Sequence, residues 1–302
     1  MPDPRAGVYP ISTGEATLVP DGDGRRGWTL MLNGVPSSHL DLDDPLRLDF
    51  EYLRWIADVL EVMQPAGEGL RVLHLGGAGC SLARYVAASR PGSRQLVVEI
   101  DPDVVELARS AFGVRSTGRL RVRTGDAREV LQDLPDLPDH RYEAVVRDAF
   151  AVDRVPTHLT TRGFLTEVSR VLAPGGVYAA NMGDGSATLA RARAEAATLI
   201  AVFAHVALIA EPAQFHGRRY GNVVLLGSHD DLPLAALGRR LASGAVRARM
   251  LEGDEVHDFA AGRPPLEDPP DTDPARHEGT TAAATLDASG ARAPRGVTGR
   301  RP

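Results

Sequence analysis

Four short segments carry the side chains best suited to chemistry, and each closes or follows an apolar, strand-like run. Gly76-Gly77-Ala78-Gly79-Cys80-Ser81 follows LRVLHL (70–75); a glycine turn opening a helix offers backbone N–H groups and the positive helix end to a ligand. Glu99-Ile100-Asp101 closes the next run, about 20 residues further on, where a carboxylate can accept hydrogen bonds from both ribose hydroxyls of a nucleoside. Gly125-Asp126-Ala127-Arg128-Glu129 follows LRVRT (120–124), and Asp126 reads both as a helix start, with Glu129 at capping-box spacing, and as a contact for an adenine amino group. The two roles are compatible. Asp148 ends YEAVVRD (142–148) at the position facing a reaction centre; the alternative is a carboxylate held by local backbone N–H groups. Asp101-Pro102, by contrast, reads most simply as a helix cap.

Composition narrows the chemistry further. All 34 Lys+Arg residues of the 302-residue chain are arginine, so Schiff-base, phosphate-loop and kinase-type lysines are excluded. The single cysteine, Cys80, leaves no disulfide within the chain and no thiolate metal cluster. A formal net charge of -6 gives no reason to expect nucleic-acid binding. The first residues lack a signal-peptide pattern, and no apolar run reaches the roughly 18 residues of a membrane helix. The expectation is a cytoplasmic protein with no membrane, nucleic-acid or metal partner.

These segments need a scaffold that brings strand ends together. Seven runs read as strands, at 70–75, 94–100, 120–124, 142–148, 176–182, 205–211 and 221–228, and helical patterns alternate with them. Val/Leu/Ile-rich strands separated by helices predict an α/β domain with a doubly wound, mostly parallel seven-stranded sheet. The short link between the last two runs predicts a hairpin with an antiparallel final strand. In such a sheet ligands bind outside the carboxyl ends of the strands, where all four segments lie. Ahead of the sheet, ATLVP, WTLML and VPSSHLDL are separated by Asp/Gly turns and by Asn33-Gly34, which predicts a small antiparallel β meander. A helix follows, with Phe50, Leu53, Ile56, Ala57, Leu60 and Met63 on one face and Asp49 as its expected cap. Beyond residue 261 the chain is rich in Pro, Gly, Ala and charge and is expected to be a disordered tail. The expected division is therefore 1–48 for the meander, 49–261 for a Rossmann-like nucleoside-binding domain and 262–302 for the tail.

Nicotinamide binding is disfavoured, because the GxGxxG fingerprint would need glycine where Leu82 stands. Instead VLHLGGAGCSLARYVA, LVVEIDPDVVELAR, RTGDAREVL, YEAVVRDAF and VLAPGGVYAANM, in this order, resemble the class I S-adenosylmethionine-dependent methyltransferase fold. LMLNGVPSSHLDLDDP, the EID after the second strand and DAFAVDRVPTHLTTRGFLTEV are more narrowly similar to the spermidine synthase-like family, over about residues 15–230. The resemblance implies a transferase of polyamine biosynthesis that moves an aminopropyl group from decarboxylated S-adenosylmethionine to a small-molecule amine, and it suggests a homodimer. It implies that Glu99 binds ribose and Asp126 adenine, with Gly76, Gly77, Gly79, Ile100 and Ala127 completing the cofactor-binding set. Asp148 becomes the base or electrostatic partner of the amine, with Asp153 as a second catalytic carboxylate. The departures are specific: Gly79 stands where the family has the aspartate that grips the propylamine, Ala151 replaces a second aspartate, and Ser37 replaces a glutamine. Losing those carboxylates keeps two alternatives open: S-adenosylmethionine-dependent methyl transfer to an unknown small acceptor, and a non-catalytic nucleoside-binding relative. His74, Tyr178 and Trp55 read as core residues, Cys80 as a small loop residue, and Arg147 as the partner of a nearby carboxylate; His158 lies close enough in sequence to reach the site.

Overall fold

A computed structural model of the chain describes residues 4–185 and 187–269. Residues up to Asp268 pack as one compact unit. The N-terminal sheet is an antiparallel meander of four strands, β1 (Gly7–Ile11), β2 (Gly14–Pro20), β3 (Gly27–Leu32) and β4 (Val35–Asp41), paired in that order. The Asn33-Gly34 turn has positive φ at both residues (50° and 78°), as the dipeptide predicts. The first strand, GVYPI, falls within the expected 1–48 meander but adds a strand to the three runs read there; its Pro10 is tolerated because β1 is an edge strand.

The meander is bound to the rest of the fold by packing and by one carboxylate. Ile11, Leu18, Trp28, Leu30 and Leu40 share a buried cluster with Val104, Leu107 and Phe112 of the helix that follows Asp101. The Thr13 amide and hydroxyl both donate to Asp101 Oδ2, each at 2.7 Å. The other oxygen of Asp101 caps that helix through the Asp103 and Val104 amides. The capping role expected of Asp101 is present, and the same side chain also anchors the meander.

Helix α1 (Glu51–Met63) leads into the main sheet. Its N-cap is Phe50, with no side-chain cap; Asp49 lies instead 3.4 Å from the Arg47 guanidinium, an ion pair that takes the carboxylate away from the helix. Then follow β5 (Arg71–Leu75), α2 (Ser81–Ser89), β6 (Arg94–Glu99), α3 (Pro102–Phe112), β7 (Leu120–Thr124), α4 (Ala127–Asp133), β8 (Tyr142–Arg147), α5 (Arg162–Val171) and β9 (Leu172–Asp184). The last elements are α6 (Ala190–Ile200), β10 (His205–Ala210), α7 (Pro212–Phe215), β11 (Gly221–Ser228), α8 (Leu234–Ser243), β12 (Arg249–Glu252) and α9 (Asp254–Ala260).

The sheet order is β7-β6-β5-β8-β9-β11-β10-β12. Pairings from β7 through β9 are parallel, and β11 inserts antiparallel between β9 and β10, as the short hairpin link requires. One strand joins the seven expected: β12, whose four residues RMLE are too few to show a period. Alternate residues of β5 and β8 feed cores on opposite faces, Val72, Ala144 and Val146 toward α1, α2 and α8, and Leu73, Leu75 and Val145 toward α5, α6 and α9. The strand order reverses between β5 and β8, which opens a crevice at their carboxyl ends.

The expected tail begins later than its composition suggests. The Arg162 amide donates to Leu266 O (2.7 Å), and the Leu266 amide bonds Thr198 Oγ1 (2.9 Å). Asp268 makes a two-pronged ion pair with Arg128 (2.6 and 2.8 Å) and accepts from Thr161 Oγ1 (2.7 Å). Charge complementarity and backbone pairing thus order a segment that has little apolar surface to bury. The remainder of the expected tail, 270–302, lies outside the described residues. Among the described residues no helix is long and apolar enough to cross a membrane.

Candidate active site

A cleft of about 550 Å³ opens at the carboxyl ends of β5, β6, β7, β8 and β9, with the meander and the start of α1 as its walls. That volume falls within the ordinary range for small-molecule sites.

One end of the cleft is built on the glycine turn. Gly76 has φ +92°, and a Cβ there would collide with the Asp148 carbonyl, so both the turn and its close approach to β8 require glycine. A Cβ on Gly77 would strike the Val97 side chain. The Gly77 and Ala78 amides donate to Glu99 Oε2 at 3.1 and 2.7 Å, and the Asp101 amide donates to Oε1 at 3.2 Å. Three of the four acceptor sites of Glu99 are therefore used, leaving one on Oε1. Ile100, 59% exposed, and Ala127, buried, both line the cleft. Gly77 lines a smaller recess beside it. Gly79 lines neither: its amide donates to Ser38 Oγ (3.0 Å), and Leu40 and Ser38 crowd it from the meander, so the structure does not bring it to the ligand space.

Asp126 does what its spacing predicts and more. Its Oδ1 caps α4 through the Arg128 and Glu129 amides (2.8 and 3.2 Å), and Oδ2 lies 2.8 Å from His158 Nε2. Burial pushes its carboxyl up, but the His158 hydrogen bond and charge and the two amides outweigh that, leaving the pKa below the ordinary range. His158 thus reaches the site as a neighbour of Asp126, itself held by Arg128, whose guanidinium donates to the His158 carbonyl at 3.3 Å.

At the other end Asp148 is half-buried on the cleft wall, its backbone amide bonded to Leu75 O. The Tyr52 hydroxyl donates to Oδ2 (3.0 Å) and the Asn181 amide to Oδ1 (2.9 Å). Burial raises its pKa; the hydrogen bonds from Asn181 and Tyr52 and the charge of Arg147 oppose this without cancelling it. The adjacent loop carries Val152 at φ +60°, a strained value for a β-branched residue, and with it Ala151 and Asp153 line the cleft. Asp153 itself turns to solvent, 63% exposed and 3.7 Å from Arg154. The structure therefore groups Asp148 and Asp153 on one rim but gives them opposite environments.

Nothing in the sequence pattern marks Phe50, Glu51, Tyr52, Tyr220 or Asn222, which also line the cleft. Asn181 did carry a signal: it is a lone amide within the apolar run VYAANM, and such a residue in a buried strand needs a partner. The residues read as bystanders are bystanders. His74 is buried against Gln95 (2.9 Å) with its pKa lowered to about 4, and burial pushes the Cys80 thiol up to about 12. Arg147 pairs with Glu195 and does not line the cleft, reaching it only through the effect of its charge on Asp148, and Tyr178 and Trp55 are core.

One property of the lining stands out against the composition. Six acidic residues line the cleft, Glu51, Glu99, Asp101, Asp126, Asp148 and Asp153, and among the described residues lining it there is no arginine, in a chain with 34 of them. No cluster of three His, Cys, Asp or Glu residues among the described residues is arranged to hold a metal ion.

The family model for the spermine/spermidine synthase domain matches residues 49–222, more than half of the chain. The chain belongs to the spermine/spermidine synthase family. The crystal structure of a probable spermidine synthase from Corynebacterium glutamicum is 38% identical, with a TM-score of 0.81, over 89% of this chain and 98% of that one. A polyamine aminopropyltransferase of Vibrio vulnificus is 35% identical over 135 residues, 45% of this chain and 44% of that protein. A eukaryotic elongation factor 1A lysine and N-terminal methyltransferase of Xenopus laevis is 30% identical over 117 residues, 37% of this chain and 17% of that protein. The chain spans about half the length of the curated aminopropyltransferases it matches. Within this synthase family, the matched segment contains the glycine turn, Glu99, Asp126 and Asp148, whereas the meander precedes it.

Proposed function

We propose that this chain transfers an aminopropyl group from decarboxylated S-adenosylmethionine to an amine acceptor. The observation that carries the proposal is the cleft lined by six acidic residues and, among the described residues, no arginine, because donor and acceptor are both cations in water. Glu99, fixed by the turn amides, has one acceptor site left for a ribose hydroxyl, and Asp126 has one left on Oδ2 for an adenine amino group. Ile100 and Ala127 give the base an apolar wall.

Asp148 serves the reacting nitrogen. The lone pair of a neutral amine attacks the propyl carbon bonded to sulfur; the C–N bond forms as the C–S bond breaks, its electrons go to sulfur, and methylthioadenosine leaves. The proton lost by nitrogen passes to Asp148. A carboxylate whose pKa is raised by burial is a stronger base than one in water, and Tyr52 and Asn181 hold it in place. Family fit is uneven: Gly79 and Ala151 supply no carboxylate, and Asp153 points to solvent.

Those two absences favour a second reading, methyl transfer from S-adenosylmethionine to a small acceptor. Incubating the protein with either donor and a panel of primary amines, and quantifying nucleoside products by chromatography, separates the readings. Aminopropyl transfer yields methylthioadenosine only from the decarboxylated donor in the presence of an amine. S-adenosylhomocysteine formed from the carboxylated donor would replace the proposal with methyl transfer, and nucleoside binding without turnover would leave a binding protein.

A further inference from the structure

Directly behind Asp148 lies an ion pair whose partners are both fully buried: Arg147, the last residue of β8, and Glu195 of α6. Side chains alternate across a strand, so Arg147 points to the α6 face of the sheet while Asp148 points to Tyr52 of α1. The Arg147 guanidinium donates from Nε to the Tyr178 hydroxyl on β9 (3.0 Å) and from Nη2 to Glu195 Oε1. Further along β9, Asn181 donates to Asp148. Polar side chains therefore link β8 to β9 on both faces of the sheet.

Such a pair is a poor source of stability, because desolvating two charges offsets most of their attraction. Arg147 Nη1 and Glu195 Oε2 have no hydrogen-bond partner among the described residues, so the pair is not even fully satisfied. Its action on Asp148 is more direct. Each element packed around that carboxylate presents a group without charge: Tyr52 of α1, whose phenol burial holds protonated, Asn181 of β9, and His74 of β5, which burial lowers to about 4 and so keeps neutral. Glu51 and Asp153, which line the same cleft, are anions. Arg147 is the cation that acts on Asp148, and Glu195 is the anion that opposes it.

We infer that Glu195 is a positioning residue for the transfer: by pairing with Arg147 on the α6 face it keeps that cation from holding Asp148 ionised, so that Asp148 is free to take the proton of the attacking amine. The inference rests on the reading of Asp148 as proton acceptor. When the amine attacks, its N–H bond breaks and an O–H bond forms on Asp148; an unopposed guanidinium beside the carboxylate would favour the form without the proton. Glu195 touches no ligand space and acts through Arg147 alone.

The test is an infrared titration of the full chain with methylthioadenosine bound, in which the Asp148 carboxyl band is identified by its loss in Asp148→Asn. In Glu195→Gln the carboxyl should take up its proton about 1 pH unit lower than in the wild type, and kcat with the decarboxylated donor at saturating amine should fall a few-fold while methylthioadenosine affinity is unchanged. The double variant Arg147→Met/Glu195→Leu, an apolar pair of similar volume, removes the cation as well and should move the titration the other way, above the wild type. Opposite shifts are not produced by a general loosening of the fold. A titration unmoved in Glu195→Gln, or moved in the same direction in both variants, overturns the inference; where Glu195→Gln does not fold, a double variant that titrates at or below the wild type does so. Opposite shifts with kcat unchanged in Glu195→Gln would instead overturn the proton-acceptor reading of Asp148, and the place of Glu195 in the reaction with it.

Discussion

The two ends of the cleft treat their carboxylates in opposite ways. At the nucleoside end, Glu99 and Asp126 each have three of four acceptor sites filled, almost entirely by backbone amides of the turns they organise. At the acceptor end, Asp148 has two sites filled, both by neutral side chains, and Glu51 has none. The pKa directions follow: Asp126 lies below its ordinary range because its hydrogen bonds outweigh burial, and Asp148 above because burial outweighs its hydrogen bonds. Carboxylates fixed by backbone suit a ligand that is held; a half-buried, under-satisfied one suits a group that must take up a proton.

The largest effect expected from this contrast is at Asp148. Asp148→Asn should lower kcat by about 10²–10⁴ if the residue takes the proton, while methylthioadenosine affinity changes less than about threefold. The same variant should be more stable. A raised carboxyl pKa means that the folded state holds the proton more tightly than the unfolded chain, so stability falls as pH rises from 3.8 through the raised value. At neutral pH the ionised group is a net cost, and its removal should raise Tm. The wild-type rate should correspondingly fall as pH drops through the raised pKa of Asp148, with nucleoside binding flat over the same range because Asp126 stays ionised. Loss of nucleoside affinity in Asp148→Asn equal to the loss of turnover would erase the distinction between the two ends.

A smaller effect belongs to Glu99. Glu99→Gln puts an amide where an oxygen now accepts from the turn, so methylthioadenosine should bind about tenfold more weakly, with kcat at saturation changed less than about threefold. A fall in kcat without weaker binding would move Glu99 into the chemistry. Smallest is Asp268→Asn, which removes the charge opposite Arg128. The Asp268 carboxyl is held low, chiefly by its Arg128 hydrogen bond, with burial opposing. Its contribution is present above pH 3.8 and lost as pH falls through the lowered value. Discounted for partial exposure, the loss should be about 1 kcal/mol, or roughly 2–4 °C in Tm, read by thermal denaturation. Turnover should be unaffected if the segment Gly262–Asp268, a strap across α5 and Arg128, only stabilises the Asp126 end of the cleft.

Legibility divided along similar lines. Local chemistry was readable: Asn33-Gly34 forms its turn, Asp101 and Asp126 cap their helices, and the seven expected strands are all present. The glycine turn, Glu99, Asp126 and Asp148 were readable because each follows a strand and a parallel sheet gathers strand ends. What escaped depends on contacts between distant parts of the chain. Tyr52 and Asn181 meet Asp148 across 96 and 33 positions, and no periodicity encodes that. Gly79 looked like part of the cofactor turn until Ser38, 41 positions away, took its amide. Asp49 looked like a cap, but Arg47 two residues earlier competed for it.

The strap from Gly262 to Asp268 has a consequence in the order of synthesis. Arg128 and Asp268 are 140 positions apart. At about 5–20 residues per second, a ribosome needs roughly 7–28 s to reach the second after the first. During that interval the meander and its Thr13–Asp101 anchor can already be in place, whereas Arg128, which supports His158 and so Asp126, still lacks its counter-charge. The wall nearest the N-terminus is complete early, and the Asp126 end of the cleft is among the last parts of the described structure to be finished.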